Sequence, residues 1–276
     1  MNSNRAVRAA ASALGACALA AALVPAAGAS PPQAASPQQA VSPQQEGTGA
    51  TPMIVGGHDA TEQYPFMVSL QQDGQHFCGG SLIKPDWVVT AAHCAQAANE
   101  APTTARIGSA DRTRGGEQAR VAEVVAHPDF ATKRPQFDLA VLRLDHPVRQ
   151  QPVRLAARPG PVGTPTRIIG WGVTCDQRPH CQDLPVQLQE VDTQLVPDAE
   201  CTRFDGNSEL CTDSPVEGAQ GCNGDSGGPQ LQGRPGEWEL IGATSRDGDD
   251  SPVCGTGTGI WTDLTAYRDW IERATA

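Results

Sequence analysis

At 276 residues the chain can bury one large core or two small ones, and its 29 Gly and 23 Pro cut the apolar stretches too short for a helical bundle. That punctuation fits many short strands, as in a barrel or a sandwich. With a net charge of −11 and its Lys and Arg scattered, the chain lacks the basic footprint that nucleic acid requires, so that partner is excluded.

In chain order, Arg5 and Arg8 precede an apolar run from Ala9 to Val24, and Ala27-Gly28-Ala29 is a small-residue cleavage signal. Residues 1–29 therefore read as a secretory signal peptide and place the product outside the cell. The run is short of the roughly 20 residues a spanning helix needs and is mostly Ala, which argues against a membrane anchor. Leu14-Gly15-Ala16-Cys17 faintly resembles a lipoprotein box, with too little apolar sequence before it. Residues 30–53, rich in Ser-Pro and Gln-Gln, read as a disordered pro-segment. Losing residues 1–53 removes two Arg and one Glu, leaving 18 basic and 30 acidic residues and one candidate domain, 54–276.

Cys17 leaves with the signal peptide, so eight of the nine cysteines remain. An even number in an exported chain implies disulfides. Zinc is disfavoured because there is no CxxC knuckle. The runs MVSL, WVVT, RIIG and ELIG read as strands, and only the end of the chain reads as a convincing helix.

Chemistry concentrates in GCNGDSGGPQ, residues 221–230, where glycines crowd a single serine, Ser226. A hydroxyl becomes a nucleophile when a base takes its proton and donors await the oxyanion. Glycines 224, 227 and 228 leave backbone N–H groups open to such a role. Of six histidines, His93 stands out, in WVVTAAHC, where a β-rich run stops in small residues and a cysteine pins the loop. Asp138 in FDLAVLRL is an acid leading into a buried-looking strand, costly there without a partner.

TAAHC, DLAVLRL and GDSGGP, in that order, resemble the chymotrypsin/trypsin family of secreted serine proteases, here as a bacterial-type exported member. IVGG at 54–57, YPFMVSLQ, FCGGSLI, GWG at 170–172 and LTAYRDWIER extend the resemblance from Ile54 to about Arg273. It implies an all-β fold of two packed six-stranded antiparallel barrels (about 54–158 and 159–262) with a C-terminal α-helix (about 263–273). It makes Ser226 the nucleophile, His93 the general base and Asp138 its buried partner, with the N–H groups of Gly224 and Ser226 as the oxyanion hole. Ser245 matches the family serine that touches the buried aspartate. Cleavage before Ile54 would free an α-amino group to pair with Asp225. The family pairs Cys78 with Cys94, Cys201 with Cys211 and Cys222 with Cys254, which leaves Cys175 and Cys181 to each other. Polypeptide substrates and protein protease inhibitors are the implied partners, with no cofactor, no metal, no membrane and a monomeric state. The alternative is a catalytically inactive, protease-like binding protein.

The departures bear on specificity. Gln220 stands at the pocket base, where the family carries Asp when it prefers Arg and Lys. Gly259 keeps one wall open, but Arg246 and Asp247 follow Ser245 where an aromatic residue and a glycine are usual. Ser109 stands where calcium-binding members carry an acid, so no calcium site is expected.

Overall fold

In the computed structural model, described for residues 54–174, 184–249, 251, 253–255 and 257–276, the short apolar runs become strands of two closed barrels. In chain order the strands are β1 (His58–Asp59), β2 (Met67–Gln72), β3 (Gln75–Lys84), β4 (Trp87–Thr90), β5 (Thr104–Ile107), β6 (Glu117–Ala126) and β7 (Ala140–Leu144). Then follow β8 (Arg154–Leu155), β9 (Pro165–Gly170), β10 (Gln189–Leu195), β11 (Glu209–Asp213), β12 (Pro229–Gln232), β13 (Glu239–Asp247) and β14 (Gly259–Asp263). The helices are α1 (Ala92–Glu100) and α2 (Arg268–Ala274).

The first barrel closes in the order β2-β3-β4-β7-β6-β5. The second runs β9-β10-β11-β14-β13-β12 and closes because β12 pairs back onto β9. The expected pair of six-stranded antiparallel barrels with a C-terminal helix is the fold of the chain. β4 shows why these runs become strands: all four residues of WVVT are buried, and β-branched and aromatic side chains suit a pleated, enclosed surface. Met67, Leu70, Leu82, Ile107 and Leu142 fill the first barrel, while Ile168, Val191, Leu210, Ile241 and Trp261 fill the second. Each such side chain contributes about 1.5–3 kcal/mol by leaving water.

The start of the domain belongs to the second barrel. Ile54 is fully buried in its core, Val55 bridges Gln220 and β1 pairs with β10. Below this segment Arg167 on β9 is almost enclosed. Its guanidinium meets Glu190 at 3.0 Å and Asp192 at 2.7 Å, and Tyr64 donates to Glu190 at 2.6 Å.

The barrels meet backbone to backbone at Gly79 on β3, where a Cβ would stand 2.8 Å from Gly228 Cα. Only glycine permits that approach, and it lets the Gly79 N–H donate to the Ser226 carbonyl at 2.8 Å. One element departs from the sequence reading. The stretch after β4 is helical, and α1 buries Ala92, Cys94, Ala95 and Ala98.

Candidate active site

Strand pairing brings the first two site residues together. β4 and β7 lie side by side with Thr90 opposite Ala140, so the chain leaving β4 and the chain entering β7 emerge at the same rim. His93 sits in the first turn of α1 and Asp138 just before β7. The Asp138 Oδ1 accepts the His93 backbone N–H at 2.9 Å, and Oδ2 lies 2.7 Å from His93 Nδ1. A carboxylate can only accept, so Nδ1 carries the proton and Nε2 is left as the basic nitrogen.

The second barrel completes the seat of Asp138. Ser245 on β13 donates its Oγ–H to Oδ2 at 2.7 Å, and Thr262 on β14 donates to the Asp138 carbonyl oxygen at 2.9 Å. The carboxylate is 4% exposed, yet it accepts three hydrogen bonds, which answers the cost of burying it. Phe137 precedes it with φ of 59°, a left-handed conformation unusual for an aromatic residue. Its ring stacks on His127 at 5.0 Å between centroids.

Ser226 lies in the loop before β12, half-buried, on the wall of a cavity of about 140 Å³. The backbone N–H groups of Gly224 and Ser226 donate to no acceptor among the described residues. Gly224 has φ of 101°, and a Cβ there would start 3.0 Å from Gly172 Cα. Asp225 points inward, 3% exposed, accepting the N–H of Gly172 at 2.7 Å and of Cys222 at 2.9 Å. Burial pushes its carboxyl up to about 6, because two amide dipoles do not replace water around a charge. The segment starting at Ile54 runs beside the chain that leads into this loop, since the Gln220 N–H donates to the Val55 carbonyl at 3.0 Å.

The cavity is floored by Gln220, which is 2% exposed. Its Oε1 accepts the Gly221 N–H at 3.1 Å, and Nε2 lies 3.4 Å from the carbonyls of Thr212 and Gly257. Gly259 forms one wall, where a Cβ would lie 2.4 Å from the Trp261 ring and 3.2 Å from Gln220 Cδ. Ser245 and Asp247 line the same cavity. Arg246 turns its guanidinium onto the buried Glu209, at 2.6 and 2.9 Å.

Three disulfides, Cys78–Cys94, Cys201–Cys211 and Cys222–Cys254, brace these loops. The expected Cys175–Cys181 pair lies outside the described residues, as do the signal peptide and pro-segment. Cys78, His93 and Cys94 form a cluster of metal-ligand type, but the disulfide leaves the two sulfurs no thiolate to offer. No helix among the described residues is long and apolar enough to cross a membrane.

Two features escaped the sequence reading. Ser69, His76 and Gln71 form a buried relay to the Gly224 carbonyl, and Arg246 pairs with Glu209. Each closes on a partner remote in sequence, 148 residues away for His76 and Gly224 and 37 for Arg246 and Glu209, and no local pattern marks them.

Known proteins carry the same architecture. A trypsin from Sarcophaga bullata is 36% identical over 233 residues, covering 80% of this chain and 88% of its own. Trypsin theta of Drosophila melanogaster is 36% identical over 234 residues, covering 80% and 86%. Among solved structures, mouse neuropsin, described as a serine protease of the limbic system, superposes with a TM-score of 0.70 at 25% identity, over 81% of this chain and all of its own. Human heparin binding protein does so with a TM-score of 0.67 at 28% identity, over 80% and 96%. These relatives come from flies, mouse and human, and they do not support the expectation of a bacterial-type member. The family description Trypsin matches residues 54–271, and the chain belongs to the trypsin family of chymotrypsin-like serine proteases.

Proposed function

We propose that the chain is a secreted serine endopeptidase, made with a signal peptide (1–29) and a pro-segment (30–53) and activated by cleavage before Ile54. Ser226 Oγ attacks the scissile carbonyl as His93 Nε2 takes its proton, while Asp138 holds the imidazole in that tautomer and stabilises the imidazolium. The oxyanion takes hydrogen bonds from the N–H groups of Gly224 and Ser226. His93 then protonates the leaving amine, and water, activated by the same imidazole, hydrolyses the acyl-enzyme. The observation that carries this reading is the seat of Asp138, whose carboxylate accepts from the His93 backbone, the His93 ring and Ser245 at 2.7–2.9 Å. A structural acid has no need to hold a histidine by both its backbone and its ring.

Gln220 supplies an uncharged amide at the pocket floor, so a buried Lys or Arg side chain would lack a counter-ion there. The substrate residue before the scissile bond is accordingly neutral. Met53, which precedes Ile54, is such a residue, so the enzyme can process its own precursor. The alternative, an inactive binding protein, draws on the solved relative called a heparin binding protein. The net charge of −11 opposes binding of a polyanion.

A fluorophosphonate probe tests the reading. It labels Ser226 in the processed protein, and Ser226→Ala or His93→Ala abolishes labelling and peptide hydrolysis together. Wild-type turnover in Ser226→Ala sinks the assignment. Cleavage of a diverse peptide library tests the pocket, and dominance of Arg and Lys before the cut would refute the neutral preference.

A further inference from the structure

Gly224 is gripped from both sides by contacts that lead back to one residue of the first barrel. On one side, Gln71 donates both Nε2 hydrogens, to Ser69 Oγ at 2.9 Å and to the Arg112 carbonyl at 2.7 Å. Ser69 Oγ has thereby accepted one hydrogen bond, and its own proton points to His76 Nδ1 at 2.8 Å. His76 then carries its proton on Nε2 and donates to the Gly224 carbonyl at 2.9 Å. The ring is buried edge-on against Trp171 at 5.5 Å. On the other side, the Arg112 guanidinium donates to the Leu184 carbonyl at 3.0 Å and to the Pro185 carbonyl at 2.8 Å. Its backbone N–H donates to the Val186 carbonyl at 3.1 Å, next to the Asp111–Gln187 bridge. Leu184, held this way, covers Gly224: a side chain at Gly224 would start 3.0 Å from Leu184 Cδ2.

We infer that Arg112 is a positioning residue for the oxyanion donors, its main-chain carbonyl holding the Gly224–Asp225 peptide that lies between the two donors through the Gln71–Ser69–His76 relay, and its guanidinium confining Gly224 through Leu184. The inference rests on the proposed roles of Ser226 and Gly224. Its physical basis is that an oxyanion amide works only when already aimed at the charge that develops. A loop built of glycines, φ of 101° at Gly224 included, has no side chains with which to aim itself. The relay sets the carbonyl end of Gly224, and Leu184 limits the tilt of the residue. Arg112 joins both because its main chain and its side chain serve different contacts. The link spans β2, β3, the β5–β6 connection and the segment before β10, so it transmits the rigidity of the first barrel to a loop of the second.

Steady-state kinetics and the rate of fluorophosphonate inactivation, which also needs the oxyanion donors, test this on the processed full protein. Arg112→Ala lowers kcat and the inactivation rate together by about 10- to 100-fold, the scale set by a misplacement of about 1 Å. KM stays within about twofold, since ground-state binding is untouched. Leu184→Ala gives the same pattern by removing the cover on Gly224, both variants leaving the Arg112 carbonyl to the relay, and Arg112→Lys recovers part of the loss. Arg114→Ala, on the same loop with an exposed side chain, leaves both rates unchanged. A wild-type kcat in Arg112→Ala and Leu184→Ala, a loss confined to KM, or an equal loss in Arg114→Ala overturns the inference while Ser226→Ala still upholds the protease reading. A wild-type protein that never reacts with the probe overturns both.

Discussion

At the scale of the residue, Asp138 is where physics and chemistry coincide. Both oxygens of its carboxylate accept hydrogen bonds, and the donors come from both barrels. Removing the Ser245 hydroxyl takes away one charge-assisted hydrogen bond, worth about 1.5–3 kcal/mol. Ser245→Ala should therefore lower kcat/KM by about 10-fold or more while the protein stays folded, which thermal unfolding alongside peptide hydrolysis would check. Asp138→Asn should be far worse, about 10⁴-fold in kcat, because an amide NH₂ facing Nδ1 favours the wrong tautomer. An Asn variant within tenfold of wild type would remove Asp138 from the mechanism. Of these residues, Ser226, His93 and Asp138 were legible because their flanks are local: glycines, TAAHC and a strand-leading acid. Thr262, His76 and Gln71 were not, since each acts through one hydrogen bond to a residue remote in the chain.

At the scale of the element, the strands were legible and α1 was not. MVSL, WVVT, RIIG and ELIG all lie within β2, β4, β9 and β13 or overlap them by most of their length. β-branched runs between turn residues leave few other choices. α1 is Ala-rich and nine residues long, too short to hold itself and lacking any large apolar stripe. Its helicity comes from packing and from the Cys78–Cys94 bridge. A buried ion pair ties β9 to β10: Arg167 is 11% exposed and Glu190 1%. Glu190→Gln leaves the guanidinium with a weaker partner and also weakens the bonds from Thr61 and Tyr64. The expected cost is about 3–5 kcal/mol, read as a lowered midpoint in urea unfolding. An unchanged midpoint would mean that Asp192 and Glu62 suffice. The Cys222–Cys254 bridge closes 32 residues around the pocket. Replacing both cysteines by Ala should remove about 3–4 kcal/mol and raise KM more than it lowers kcat, because Cys222 and Cys254 line the cavity.

At the scale of the whole molecule, the proposed activation joins the first residue of the domain to the nucleophile loop, and it should be visible in stability as well as activity. In the uncleaved chain the hydrogen-bond donors to Asp225 among the described residues are backbone amides, and burial raises its carboxyl from the ordinary 3.8 to about 6. The folded state then binds this proton more tightly than the unfolded state does. Its contribution to stability falls as pH rises from about 4 to about 6 and stays low above, a loss on the order of 3 kcal/mol. Cleavage before Ile54 supplies an α-amino group in the same barrel. Once paired, Asp225 has a depressed pKa, and its stabilisation is present above about 4 and lost below. His76, whose burial lowers it to about 4, acts in the opposite sense, weakening the fold as pH falls from about 6.5 to 4. It is common to both forms and cancels in their difference. The stability of the cleaved chain minus that of the uncleaved chain should therefore grow from pH 4 to pH 6, hold, and decline above about pH 8, where the unfolded chain's amino group loses its proton while the paired one keeps it to higher pH. The comparison is made on Ser226→Ala protein to prevent self-digestion, with the ends of both forms verified by N-terminal sequencing. A difference flat across pH 4–8 would show that Ile54 and Asp225 do not pair, and a chain beginning elsewhere than Ile54 with full activity would show that they need not.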